Sequence, residues 1–155
     1  MIRIKHLLVA VLLLVAASLS ANANENTEFV REKGVIARIG AGAPANFNVG
    51  LGYRFCPHFE LAAEVFSYSG LTTITGVLDA RYHILDRPLT PFVAAKAGYG
   101  VLGTTLEYQN YSNLLGVLTA GMSWKGFDLG AGLVYDPFHR FGFTANLSWT
   151  YRFGR

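Results

Sequence analysis

Apolar and polar residues alternate along most of this chain, and the alternation is most regular in "FGFTANLSWTYRF", residues 141–153. The odd-numbered positions of this segment are apolar, whereas the even-numbered positions are glycine, polar or charged. A period of two residues predicts a β-strand with one apolar face and one polar face. The segment is about twice as long as the ~5–6 residues of a typical strand. It therefore raises the question of what each face contacts.

The same alternation recurs at spacings of about a dozen residues or more, and no segment after residue 33 has a convincing helical period. Compact turns are predicted at 56–57, 86–90 and 125–126, and generally looser connections at 43–45, 67–72, 103–113 and 136–140. The chain is therefore predicted to be all-β, with eight antiparallel strands in up-and-down order. Their predicted bounds are 34–42, 46–55, 58–68, 73–84, 91–102, 114–125, 127–136 and 141–153.

Charged residues follow only one of the two faces of these strands. The apolar face carries none, while the opposite face carries charges among many Gly, Thr, Ser and Asn residues. A water-soluble sandwich or a lipocalin-like barrel would bury the apolar faces and expose the charges. A membrane barrel would do the reverse, and its charges would form an interior ion-pair network. The candidate network residues are Arg38, Arg54, Glu60, Glu64, Asp79, Arg81, Lys96 and Asp128.

Aromatic residues gather near the two ends of the predicted strands. The turn end has Tyr53, Phe55, Phe59, Tyr82, Phe92, Trp124, Phe127, Trp149, Tyr151 and Phe153. The loop end has Phe47, Tyr68, Tyr99, Tyr135, Phe141 and Phe143. Two aromatic belts around an apolar band are typical of a transmembrane β-barrel. Because hydrocarbon offers no hydrogen bonds to the backbone, an even set of strands must then close on itself. We therefore predict a transmembrane barrel rather than a soluble protein.

The N-terminal segment has the features of a cleavable signal peptide. Arg3 and Lys5 precede an apolar run at 7–17, and the pattern Ala21-Asn22-Ala23 predicts cleavage after Ala23. The apolar run is shorter than the ~20 residues of a spanning helix, which disfavours a membrane anchor. We expect a signal peptide at 1–23, a periplasmic segment at 24–33 and the barrel at 34–155.

Composition narrows the functional classes. Removal of residues 1–23 would leave 155 − 23 = 132 residues, enough for one domain. Two of the 13 basic residues would leave with this segment, so 13 − 2 = 11 basic residues would face 10 acidic ones. This balance provides no polyanion-binding surface, and no nucleic-acid partner is expected. The single Cys56 precludes an intramolecular disulfide.

Three parts of the sequence resemble the small eight-stranded outer-membrane barrels of Gram-negative bacteria, the OmpA-like and OmpX-like group of porin-like proteins. They are "VGLGYRF" (49–55), "PFVAAKAGYGV" (91–101) and "LSWTYRF" (147–153). The resemblance covers 34–153 and implies a location in the cell outer membrane. It implies contact with outer-membrane lipid and lipopolysaccharide, and with the barrel-assembly machinery. The implied assembly signal is Trp149, Tyr151 and Phe153, although two further residues follow Phe153 here.

Candidate catalytic residues are few. The loop segment "NYSN" (110–113) faintly resembles the His-x-Ser-Asn motif of outer-membrane lipid A deacylases, but Asn110 occupies the position of the histidine. Asparagine cannot act as a general base, so Ser112 lacks the partner that a nucleophile needs. His58, His83 and His139 do not have a metal-ligand spacing, and no cofactor motif is present.

We therefore expect a non-enzymatic outer-membrane protein with a structural or surface-interaction role and an interior plugged by ion pairs. One alternative is a narrow channel for small solutes, and another is a lipid A-modifying enzyme. Aromatic and neighbouring loop residues could bind an extracellular partner or could simply belong to the loop-end belt. These residues are Tyr68, Leu71, Tyr108, Tyr111, Phe138 and Arg140.

Overall fold

The computed structural model describes residues 31–43, 45–68, 73–99, 103–104, 114–135 and 141–153. Within these ranges, no helix reaches the length and apolarity that a membrane span requires. Most of the described residues lie in strands, and the described connections at 56–58, 84–88 and 125–126 are compact. The strands are β1 (Gly34–Ala43), β2 (Ala45–Arg54), β3 (Phe59–Tyr68), β4 (Thr73–His83), β5 (Leu89–Tyr99), β6 (Gly103–Thr104), β7 (Leu114–Trp124), β8 (Phe127–Tyr135) and β9 (Phe141–Arg152).

The eight long strands close into a barrel. Each is antiparallel to its two neighbours, and β7 follows β5 around the sheet. Closure is made by β1 and β9, whose register pairs Ile39 with Trp149. The two-residue β6 pairs with the start of β4, beyond the part of β4 that contacts β5. The prediction of an all-β, eight-stranded, antiparallel up-and-down barrel is thus confirmed.

The turn between β4 and β5 is shorter than the sequence predicted. The sequence pattern predicts Leu89 and Thr90 in this turn, but they pair with Trp124 and Ser123 as the first residues of β5. The Thr90 hydroxyl accepts a hydrogen bond from the Leu85 backbone N–H at 2.8 Å. This side-chain contact closes the turn from inside, so the strand can begin two residues earlier than its sequence pattern suggested.

The turn at Lys125 and Gly126 is confirmed as a two-residue hairpin. Both residues have positive φ, +49° for Lys125 and +97° for Gly126. Positive φ at both central positions is the requirement of a type I′ turn, whose twist matches that of the flanking strands. A Cβ on Gly126 would lie 2.7 Å from the Thr150 carbonyl oxygen, so only glycine fits there without a shift.

The outer surface of the barrel is apolar around its whole circumference. Large exposed side chains occur on all eight long strands, and the most exposed are Phe141 at 82% and Phe143 at 72%. Most of the predicted turn-end aromatics are exposed on this surface. They are Tyr53, Phe55, Phe59, Tyr82, Trp124, Phe127, Trp149, Tyr151 and Phe153.

Phe92 does not belong to the turn-end belt, and that part of the prediction is wrong. Its side chain is 1% exposed and points into the barrel, where its ring lies 4.6 Å from the Arg81 guanidinium carbon. The reason is its register, because Phe92 alternates with the outward-facing Val93. Closeness to the strand end did not determine which way it points.

The interior is divided into two zones along the barrel axis. The charged residues occupy the middle and the turn end, whereas an apolar cluster lies in the loop half, beside buried polar side chains such as Thr75 and Thr144. Five buried side chains form this interior apolar cluster: Phe66, Val77, Leu115, Val117 and Val134. Alternation predicts that Phe66, Val77, Val117 and Val134 point inwards, but it does not predict that they form one apolar cluster. An eight-stranded barrel is narrow enough for side chains to fill it, so apolar side chains from β3, β4, β7 and β8 can meet inside.

Candidate functional site: the interior charge network

The eight candidate charged residues all point into the barrel and are buried. Strand register places opposite charges side by side on neighbouring strands. Arg54 lies opposite Glu60, Glu60 lies opposite Arg81, and Asp79 lies opposite Lys96. Opposite charges in directly paired positions attract each other across a sheet. The sequence therefore builds part of the network into the pairing of β2, β3, β4 and β5.

Arg38 connects strands that are not neighbours. From β1 its Nη2 reaches Glu60 Oε2 at 2.5 Å, and its Nη1 lies 3.1 Å from Glu64 Oε1. The same Nη1 donates to Asp79 Oδ2 on β4. Its Nε donates to Thr150 Oγ1 on β9 at 3.0 Å. One guanidinium thus links β1, β3, β4 and β9 across the lumen.

The remaining contacts of Glu60 extend the network to the turn end. Arg54 donates to Glu60 Oε1 from both Nη2 at 2.5 Å and Nε at 2.7 Å. His83 Nε2 lies 3.2 Å from the same carboxylate oxygen. Paired Arg–carboxylate bonds of this kind are among the strongest polar contacts in proteins.

The other half of the network lies on β3, β4, β5 and β8. Lys96 Nζ pairs with Glu64 and lies 3.4 Å from Asp79 Oδ2. Arg81 pairs with Asp128 on β8 and lies 3.4 Å from Asp79 Oδ2. Every one of the four carboxylates therefore has at least one cationic partner. The eight groups balance, since four positive and four negative charges give 4 − 4 = 0.

Among the described residues, Asn48, His83, Thr150 and Ser123 extend this polar interior. Asn48 donates to Glu64 Oε2 at 3.0 Å, and His83 and Thr150 bind Glu60 and Arg38 as described above. All three lie on the inward face, so strand parity could have identified them. Ser123, also inward, accepts a hydrogen bond from Arg31 at 3.1 Å.

Arg31 lies near the network but could not be predicted, because it precedes β1 in a segment without alternation. Its guanidinium is buried at the turn end of the barrel, and its backbone N–H donates to Asp86 Oδ1 at 3.2 Å. Burial, followed by the positive charge of Arg54, lowers the pKa of Arg31 from its ordinary value. Arginine remains charged even so. Arg31 therefore adds a buried cation beside Ser123 at the turn end of the barrel.

The arrangement is suited to holding the barrel wall rather than to acid–base chemistry. A general acid or base needs a carboxylate or imidazole that can exchange protons with a substrate. Here the four carboxylates are committed to buried ion pairs, which are costly to break. Within the described ranges, His, Cys, Asp and Glu side chains form no group of three that could hold a metal ion.

The C-terminal aromatic residues form a continuous row on the outer surface. Trp149 and Tyr151 have ring centroids 5.9 Å apart, and Tyr151 and Phe153 are 5.2 Å apart. Trp149 also stacks on Phe127 of β8 at 6.1 Å. The row thus lies at the turn end, next to the β1–β9 closure.

Several predicted features lie outside the described residues. They include the signal segment 1–23, the "NYSN" segment 110–113 and His139. The same holds for the loop residues Leu71, Tyr108, Tyr111, Phe138 and Arg140 and for the side chain of Tyr68.

Comparison with known proteins found no match: no family model, no curated protein and no solved structure is significantly similar to this chain.

Proposed function

We propose that this chain is a non-enzymatic outer-membrane β-barrel of the OmpA-like kind, exported by a cleavable signal peptide, with a structural or surface-interaction role. The observation that carries this proposal is the inverted distribution of polarity. The eight charges of the network are inside a closed barrel, while the outer face exposes large apolar side chains on all of its long strands. Such a surface would promote aggregation in water. In a bilayer the apolar outer face would contact lipid tails, and the closed barrel would leave no backbone hydrogen-bonding group unpaired in the hydrocarbon.

The proposed role is structural because two separate layers close the interior. The charge network crosses the lumen through Arg38, and the interior apolar cluster lies between it and the loop end. A conduit for small solutes would have to open both layers. An ion would have to pass an apolar zone, where it loses its hydration. We therefore place a closed barrel ahead of the narrow channel.

The proposed partners follow from this placement. They are outer-membrane lipid and lipopolysaccharide around the barrel, the assembly machinery at the C-terminal aromatic row, and an extracellular partner at the loops. No cofactor is needed for such a role.

Cell fractionation combined with gel mobility tests this proposal. We expect the protein in the outer-membrane fraction, and we expect a band whose mobility on a denaturing gel changes on boiling. A soluble periplasmic protein without a mobility change would refute the membrane placement. Stable openings in planar-bilayer recordings would favour the channel instead. Altered lipid A after long incubation with purified barrel would favour the enzyme.

A further inference from the structure

The apolar outer surface is not uniform, because a groove of about 880 Å³ runs over β4, β5, β7 and β8. We name it the outer groove and define it by Ala95, Ala120 and Ala131 in its floor and Leu118, Met122 and Leu129 in its walls. Register explains its shape. Ala120 pairs with Ala131 between two pairs of larger residues, Leu118 with Leu133 and Met122 with Leu129.

Two turns that each carry a basic residue lie beyond the turn end of this groove. Lys125 is in the β7–β8 turn, and its backbone N–H donates to the Pro88 carbonyl at 3.0 Å. This bond brings the turn that carries Arg87 next to the turn that carries Lys125. The Lys125 Nζ lies over the exposed Trp124 ring, 5.8 Å from its centroid, and therefore on the outer side of the barrel. Met122 is three residues from Lys125, roughly 10 Å along a strand.

Negative charge near these cations is limited. Asp86 is in the same turn as Arg87, but its Oδ1 accepts the backbone N–H of Arg31. Arg87 and Lys125 are both exposed. At the depth of an aromatic belt, exposed cations meet the headgroup region of a bilayer, and each attracts an anionic lipid.

We propose that the outer groove binds one acyl chain of an anionic phospholipid whose headgroup phosphate is held by Arg87 and Lys125. The inference rests on the proposed membrane placement. A flexible acyl chain can enter a concave apolar groove. A second copy of the barrel could not fill the groove, because its outer wall is convex and would contact only the rims of the groove. Among lipids that share the same chains, two cations favour one with a net negative charge over a zwitterionic one, whose own cationic group competes for the phosphate.

The test uses the full chain refolded in vesicles of phosphatidylcholine and phosphatidylglycerol with identical acyl chains, followed by native mass spectrometry. We expect one retained phosphatidylglycerol, preferred over phosphatidylcholine. Replacing both Arg87 and Lys125 by Gln should reduce this preference about 10-fold or more at low salt. Lys33→Gln is the matched control, since Lys33 is an exposed cation beside β1 on the opposite side of the barrel.

A second pair of variants tests the groove itself. Ala120→Phe fills the floor and should abolish retention of the lipid, whereas Ala41→Phe, on the outer face of β1, should leave it unchanged. Each variant must first show the boiling-dependent mobility of the folded barrel. Folded Ala120→Phe that still retains the lipid, equal retention of both lipids, or dimers cross-linked through the groove would overturn the inference and leave the membrane placement intact. A wild-type chain that stays out of vesicles would overturn both.

Discussion

Arg38 is the residue whose loss tests the interior network most sharply. In Arg38→Ala, Glu60, Glu64 and Asp79 lose a shared partner, and the charge of the eight-residue network falls from 0 to −1. Each carboxylate keeps another cation: Arg54 for Glu60, Lys96 for Glu64, and both Arg81 and Lys96 for Asp79. The structure should therefore survive, but with an uncompensated buried charge.

The expected loss of stability in Arg38→Ala follows from the burial of this site. Removing one partner of a buried ion pair costs about 3–5 kcal/mol. If the free energy of unfolding falls by about 2 kcal/mol per molar urea, the urea concentration at the unfolding midpoint should fall by roughly 2 M. The measurement is urea unfolding of the barrel in phospholipid vesicles, followed by the loss of the heat-sensitive gel band.

Arg152→Ala is the matched control. Arg152 pairs with Glu32 at 2.6 Å, but the side chains are 27% and 57% exposed. An exposed pair contributes about 0–1 kcal/mol, so this variant should unfold close to the wild type. Adding Glu64→Gln to Arg38→Ala restores a net charge of zero and should recover part of the loss. The reasoning would be refuted if Arg38→Ala were no less stable than Arg152→Ala.

The other predictions concern the turn, the outer face and the lumen. Gly126→Ala should destabilise the barrel by about 1–3 kcal/mol in the urea assay, because φ is positive there and the new Cβ would meet Thr150. Gly116→Ala is its control and should have little effect, because the nearest atom to a new Cβ is 4.0 Å away. Ile39→Arg, an outward position midway along β1, should cost about 2–4 kcal/mol in vesicles, and an unchanged midpoint would argue against lipid at that face. Planar-bilayer recordings of the wild type should show no stable openings, and a steady conductance would contradict the closed interior.

The architecture could be predicted because eight separate segments carry the same signal. Each alternation defines an inward and an outward face, and an error in one strand leaves the other seven unchanged. The pairing of opposite charges on neighbouring strands, such as Asp79 with Lys96, then follows from the strand register alone.

The rest depends on three-dimensional closure. Arg38 contacts Asp79 although β1 and β4 are separated by two strands, and only a closed, narrow barrel brings their side chains together. Alternation says that Val117 and Val134 point inwards, but it does not say that they meet Phe66 in an apolar zone. Arg31 could not be predicted because its segment has no period.

The prediction for Phe92 failed for a different reason. Closeness to a strand end predicts a belt position for Phe92, whereas its parity with Ala94 and Lys96 predicts that it points inwards, as it does. In a barrel, parity decides between lumen and lipid, and the position along the strand decides only depth.

The central claim is that the outer face contacts hydrocarbon, and the two tryptophans of the chain can test it directly. Trp124 and Trp149 are both exposed on the outer face at the turn end. In vesicles whose lipids carry bromine on the acyl chain near the headgroup, their fluorescence should be strongly quenched, and acrylamide in the water should quench it weakly. Strong quenching by acrylamide together with no quenching by brominated lipid would contradict the account.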